Sequence, residues 1–216
     1  MPTEDQQARR DEGPATARGA QRKRALLAAA RAVFERKGFI DTKVSDIVAE
    51  AGVAHGTFYT YFDTKESIFK AVSYAVVDEM LAALTVPVAA DEFHDRVHDA
   101  VRRYVDAYRP NATFLALMEQ VGTFSPDMRH LRLDVRRAFV ERTQRGIEAM
   151  KARGVGGPDV DAEYTAEALG AMLEYTCYVW FSLDRQFDED RLIDALSAIW
   201  EKAIRTRVAP ARRSRR

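Results

Sequence analysis

The sequence predicts an all-α fold, and three observations carry the prediction. Ala, Leu, Arg and Glu dominate, which favours helix, whereas the 11 Gly and 7 Pro act as punctuation. Apolar residues recur at i, i+3, i+4 and i+7 in one segment after another, the spacing that lines one helix face. Start and stop signals bracket those segments: Asp63 to Glu66, Ser125-Pro126, a Gly/Pro cluster at 154–158, and Asp188-Glu189-Asp190. With 216 residues, 47% of them apolar and 31% charged, the chain can build one large domain or two small ones with real cores.

Residues 1–20 mix Gln, Arg, Asp, Gly and Pro without an apolar period and read as a flexible tail. The first helix is expected from Gln21 to Lys37, with Leu26, Leu27, Ala30, Val33 and Phe34 inward and Gly38 ending it. In the second, Val44, Ile47, Val48 and Ala51 share a face, after which Gly52 can adopt the positive φ that turns the chain. The third, Ala54 to Phe62, sets Phe58 and Phe62 on one side. Gly56, Thr57, Thr60 and Tyr61 fall on the other, flanked by His55 and Tyr59. That outer face is small, hydroxylated and aromatic. Two helices joined by a short glycine-containing turn make a helix-turn-helix pattern, whose second helix enters the major groove N-terminal end first. The same residues also suit an ordinary helical hairpin within a core.

The segment GFIDTKVSDIVAEAGVAHGTFYTYFDTKESIF, Gly38 to Phe69, resembles the DNA-binding domain of the TetR family of bacterial transcriptional regulators. Its Ala-Gly-Val, Gly-Thr-Phe-Tyr, Tyr-Phe and Lys keep the family's relative spacing without a gap, and the similarity runs from about Leu26 to Val72. Three positions depart from the pattern: Lys43 stands where Thr is common, Val48 where Ala is, and Ala54 where Ser often caps the recognition helix. Loss of such a cap costs about 1 kcal/mol, so the third helix is expected to firm up on DNA.

The resemblance implies an N-terminal three-helix helix-turn-helix domain and a C-terminal helical ligand-binding and dimerisation domain. It further implies a homodimer on a palindromic double-stranded DNA operator, released by a small, largely apolar effector. Ser45, His55, Gly56, Thr57, Tyr59 and Thr60 are then the candidate base readers, and Thr42, Lys43, Tyr61 and Lys65 the candidate phosphate contacts. Arg18, Arg22, Lys23 and Arg24 are candidates for a basic arm. Repression by operator occupancy is the expected output, with activation the alternative that the residues do not exclude.

The division expected is a tail at 1–20, a DNA-binding domain at 21–66, a ligand-binding and dimerisation domain at 67–207, and a basic tail at 208–216. An Asp63/Glu66 capping box should open the fourth helix, whose Ile68, Phe69, Val72, Val76 and Met80 keep period to about Leu84 before Pro87 closes it. Further helices are expected at Asp91 to Tyr108, Ala112 to about Thr123, Ser125-Pro126 to Arg153, Asp159 to Leu183 and Asp188 to Arg207. The last should bury Leu192, Leu196, Ile199, Trp200 and Ala203, and it runs from acidic to basic as the helix dipole favours. Tyr104, Tyr108, Phe114, Met118, Phe124, Phe139, Met172, Tyr175 and Tyr178 supply the aromatic and Met surface that suits an effector pocket.

Charge constrains how such a protein meets DNA. Basic and acidic residues both number 33, with basic excess at the ends and a body of 20 basic and 29 acidic residues. Non-specific attraction is therefore weak, and binding depends on placed contacts and dimer geometry. His94 and His98 lie one helical turn apart beside Asp91 and Asp95, without the Cys partners or HExxH pattern of a zinc site, so no metal or other cofactor is expected. No nucleophile and base stand in a catalytic arrangement, so the chain does not read as an enzyme. Cys177 is the only cysteine, the N-terminus lacks a signal-peptide core, and Glu167 and Glu174 interrupt the one apolar stretch, Ala166 to Leu183. A cytoplasmic protein without a membrane span is expected.

Overall fold

A computed structural model describes residues 17–85 and 92–206, apart from the side chain of Phe124. The N-terminal 16 residues, Pro87, Asp91, Arg207 and the basic 208–216 segment lie outside the described residues. Among those described, the regular elements are α1 (Ala17–Asp41), α2 (Val44–Glu50), α3 (His55–Tyr59), α4 (Lys65–Thr85) and α5 (Phe93–Tyr108). A 3₁₀ turn (Arg109–Asn111), α6 (Ala112–Phe124), α7 (Pro126–Ala152), α8 (Ala162–Phe181) and α9 (Glu189–Arg205) follow, with no strand. The fold is all-α, with an N-terminal helix-turn-helix domain and a C-terminal helical domain.

By contacts the chain divides into two compact units, one of Met1–Asp78 with Thr113–Arg132, the other of Glu79–Ala112 with Leu133–Arg216. In the first, α1 begins at Ala17, four residues before the expected start, because Ala17, Arg18 and Ala20 are themselves good helix formers. Gly38, at φ 78° and ψ 170°, breaks the helix before its short end. Leu26, Val33, Phe34, Ile47, Phe58, Ile68 and Phe114 are fully buried, so α1, α2, α3, α4 and α6 each contribute to one core. Phe69 is its aromatic hub, with ring centroids 5.1 Å from Phe34, 5.0 Å from Phe39 and 5.2 Å from Phe114.

The cap of α4 differs from expectation. Thr64 N–H donates to Ser67 Oγ at 3.2 Å and Ser67 N–H to Thr64 Oγ1 at 3.1 Å, so the reciprocal cap is one residue further on than Asp63 and Glu66. Hydroxyls on Thr64 and Ser67 have the right reach once Lys65 is the first helical residue.

In the second unit α5 buries Phe93, Val97, Val101, Val105 and Tyr108 and pairs with α9. A ladder crosses this pair: His94 to Glu201 at 3.0 Å, His98 to Asp194 at 3.2 Å, Arg102 to Asp190 at 2.9 Å and Arg109 to Glu189 at 2.6 Å. The two histidines thus face carboxylates on another helix, and no group of three metal-capable side chains occurs among the described residues. Arg136 joins α7 to α8 through Glu167 and Glu174, each at 2.7 Å. Burial works against its charge, but these carboxylates outweigh it and hold its pKa above the usual value.

Helix α9 buries Ile193, Leu196, Ser197 and Ile204, whereas Ile199, expected inside, is 50% exposed. Of the expected stripe, Leu196 is buried and Trp200 and Ala203 pack on the core, so Ile199 is the member that turns outward, and Ile193 is buried in its stead. The loop after α7 closes on the end of α9, where Gly157 N–H donates to the Ile204 carbonyl at 2.8 Å. No helix of the described residues is long and apolar enough to cross a membrane.

Candidate nucleic-acid interface

Helix α2 is positioned from its N-terminus. Asp46 accepts the Lys43 N–H at 3.0 Å and pairs with Lys37 of α1 at 2.9 Å, while Arg36 of α1 meets Glu50 at 2.8 Å. The Lys37 hydrogen bond, then that of the Lys43 backbone, holds the Asp46 carboxyl below its ordinary pKa. At the other end, Gly52 takes φ 63° and makes the turn toward α3, as the sequence predicts.

Helix α3 is short and its N-cap, Ala54, makes no side-chain cap. What holds it is Phe58, fully buried, and Phe62, 6% exposed, with ring centroids 5.8 Å apart. Those anchors point His55, Gly56, Tyr59 and Thr60 outward, with Thr57 and Tyr61 half-buried. The His55 and Tyr59 rings lie 5.4 Å apart. Ser45 and Lys43 are exposed at the start of α2. The six candidate base readers therefore lie on α2, on α3 and at the α3 C-cap, within the first unit.

Two candidate phosphate contacts have structural duties that spacing did not reveal. Thr42 is only 1% exposed, and its hydroxyl donates to the Gly38 carbonyl at 2.6 Å. The Lys65 ammonium donates to the carbonyls of Phe39 at 2.7 Å and Ile40 at 3.1 Å and lies 4.5 Å from the Phe39 ring centroid. It caps the end of α1 across the core, the cation-at-C-terminus arrangement. Arg18, Arg22 and Lys23 fall on the first turns of α1, and Lys23 Nζ stands 6.0 Å from the Phe62 ring, beside the end of the recognition segment.

The candidate effector residues are divided. Tyr104 lies 6.1 Å from Tyr108 and 5.9 Å from Phe139, all in the second unit, and burial raises the Tyr104 phenol well above its ordinary pKa. Met172 packs on a core cluster that includes Val97 and Val140. Tyr178 lies 6.0 Å from Tyr175, which is 65% exposed and faces out of the chain. Phe114 and Met118 belong to the first unit, at 0% and 6% exposure. The Phe124 side chain lies outside the description. Cys177 is buried, which pushes its thiol up to about 12 and makes it unreactive. The first unit has a cleft of about 190 Å³ at Lys37 to Asp41, Gln120 and Val121, smaller than an ordinary ligand pocket. Sequence reasoning missed Asn111 and Ser182, whose buried Oδ1 and Oγ have no hydrogen-bond partner. The only available signal was an Asn beside Pro110 in a predicted break.

Residues 26–72 match the family described as "Bacterial regulatory proteins, tetR family", and residues 97–206 match "Transcriptional regulator EthR, C-terminal domain". The HTH-type transcriptional regulator EthR of Mycobacterium tuberculosis is 26% identical over 198 residues, 89% of this chain and 92% of EthR. The uncharacterized HTH-type transcriptional regulator YdgC of Bacillus subtilis is 28% identical, covering 73% of this chain and 80% of YdgC. A solved TetR-family regulator from Syntrophomonas wolfei superposes with a TM-score of 0.75 at 20% identity, covering 88% of this chain and 98% of that one. The exposed α3 face on its two Phe anchors and these matches along most of the sequence lead to one conclusion: the chain belongs to the TetR family of bacterial transcriptional regulators, DNA-binding proteins of the helix-turn-helix type.

Proposed function

We propose that this regulator is a cytoplasmic repressor that binds a palindromic operator as a homodimer and leaves it when a small effector binds. The observation that carries the reading is the α3 surface: His55, Gly56, Tyr59 and Thr60 exposed above buried Phe58 and Phe62, a face with no core to pack against. Side-chain hydroxyls, the imidazole and close backbone approach at Gly56 suit base edges, and Ser45 and Thr57 complete the set. Lys43, Tyr61 and the remaining proton of Lys65 serve phosphates, with Arg18, Arg22 and Lys23 on α1 adding charge. Thr42 serves instead to close the Gly38 turn.

Dimerisation is supported by apolar side chains left outside. Tyr164 is 74% and Tyr175 65% exposed on α8, and Ile199 50% on α9. A second copy would cover them and set two α3 helices to read a palindrome. The functional division remains DNA binding within 21–66 and effector binding and dimerisation within 67–207. Effector control works by linkage: a ligand that prefers the conformer with badly spaced recognition helices lowers operator affinity by the ratio of its affinities for the two conformers. Helix α6 offers a route, since it follows the Asn111 turn and carries Phe114 onto Phe69 in the DNA-binding unit's core.

The test is a salt titration of binding to the gene's own upstream DNA. His55→Ala should change sequence preference, whereas Lys43→Ala should weaken binding to all sequences and flatten the log–log salt slope by about one. Sequence preference untouched by both His55→Ala and Thr60→Ala would refute the reading of α3.

A further inference from the structure

The exposed face of α3 carries none of the side chains that grip base edges through paired hydrogen bonds. Residues 54–62 contain no Arg, Lys, Asn, Gln, Asp or Glu, the side chains that read guanine, adenine and cytosine in the major groove. His55 and the hydroxyls remain. Of these, the Thr60 hydroxyl turns back on its own helix toward the Gly56 carbonyl, 3.4 Å away, so the Cγ2 methyl is what Thr60 has left to present. Beside it the exposed surface includes the Ala54 methyl and the Tyr59 ring.

Gly56 is exposed within this face, and neither its backbone nor its packing calls for glycine. Its φ is not positive, and a Cβ built on it would meet no packed atom within 4 Å. Glycine inside a helix is less favourable than alanine, and α3 has only five residues over which to absorb the loss. What the missing Cβ provides is clearance toward something outside the chain. Tyr59 and Thr60 stand at i+3 and i+4 from Gly56, the positions that adjoin it on a helix surface, and so form the walls of the gap.

We infer that the gap at Gly56, walled by Tyr59 and the Thr60 methyl, receives the 5-methyl group of a thymine in each operator half-site. Gly56 and Thr60 are thus specificity-determining residues. This rests on the reading of α3 as the base-reading helix and names the base chemistry it selects. The thymine methyl is the apolar group that base pairs display in the major groove, so a carbon-walled gap favours it over a bare pyrimidine edge. Burial of one methyl is worth about fourfold in affinity, and two half-sites together roughly fifteenfold.

The experiment takes a duplex selected by the full chain from a randomised pool and compares it with the same duplex synthesised with uracil for thymine. That exchange removes the methyls and leaves every hydrogen-bonding group of the bases. The wild-type chain should bind the thymine duplex roughly fifteenfold more tightly. Thr60→Ser, which keeps the hydroxyl and loses the methyl, should shrink the preference. Gly56→Ala, which fills the gap, should abolish it while raising the melting temperature, a pairing that a purely structural glycine would not give. Equal wild-type affinity for the two duplexes, or a melting temperature lowered by Gly56→Ala, overturns the inference. A preference that neither variant reduces belongs to duplex shape and overturns it as well. In each of these cases a sequence preference that still changes with His55→Ala leaves the reading of α3 standing. A pool that yields no preferred sequence defeats that reading and the inference with it.

Discussion

Helices α3 and α9 both present side chains outward, yet they are held in place in opposite ways. Helix α9 has 17 residues, an Asp188 side chain that accepts the Arg191 N–H, Glu189 and Asp190 in its first turn, and Lys202 and Arg205 in its last. Ion pairs to α5 fasten it further. Helix α3 has five residues, no side-chain cap and no charge in either end turn. A helix that short is not stable alone, so α3 is specified by tertiary contact, whereas α9 is specified by its own sequence as well. The difference suits the proposed roles, since a reading head gains its remaining order from DNA and a dimer platform needs order beforehand.

The comparison breaks first at Phe58. Phe58→Ala should cost about 3–5 kcal/mol, because a fully buried ring leaves a cavity and α3 loses its principal anchor. Urea denaturation should report that loss, and DNA binding should vanish even where the remaining helix content persists. A cost below about 1 kcal/mol would mean that α3 is held by something other than its Phe anchors.

Next comes Gly157, where the loop before α8 meets the end of α9. A Cβ there would collide with the Thr206 carbonyl oxygen, so backbone must move. Gly157→Ala should cost about 1–3 kcal/mol by overpacking. Thermal unfolding should show it, with the loss of hydrogen-exchange protection centred on the α9 C-terminus.

The caps offer a matched pair of smaller tests. Asp188→Ala should lose about 1 kcal/mol at α9, and Ala54→Ser should gain up to a similar amount at α3 by supplying the missing acceptor. The informative readout is DNA affinity. If α3 is ordered by the operator, Ala54→Ser should tighten operator binding as well as raise the melting temperature, because less ordering remains to be done. Higher stability with unchanged affinity would show that α3 is already fully ordered in the free protein.

Periodicity made much of this architecture legible. Phe58 and Phe62 four apart, and glycines at 38 and 52 that adopt φ 78° and 63°, express local rules that need no knowledge of the partner helix. Lys65 was opaque because its carbonyl acceptors lie 26 and 25 residues away, across the core. The same is true of Thr42, whose hydroxyl looks available until the Gly38 carbonyl is placed beside it. Helix α9 misled for another reason. With apolar residues on two faces, the period alone cannot decide whether Ile199 or Ile193 turns inward. Asn111 and Ser182 could not be foreseen as unpaired, since that property belongs to the packed neighbourhood and not to the residue.

The smallest effect concerns the link that sets α2 against α1. Asp46 bonds Lys37 and the Lys43 N–H, and its folded-state pKa is lowered by those two hydrogen bonds. A carboxyl with a depressed folded pKa contributes stability that is fully present above its unfolded value, about 3.9, and is lost as pH falls through the lower folded value. Asp46→Asn should therefore reduce the melting temperature slightly and by a constant amount between pH 7 and about pH 5, and the two proteins should converge in more acidic solution. Because the carboxyl is solvent-screened, the offset should also shrink with added salt. Melting curves for both proteins across that range decide the point. An offset independent of pH would assign the effect to lost packing, and α2 would then owe its position to Ile47 and Val48 alone.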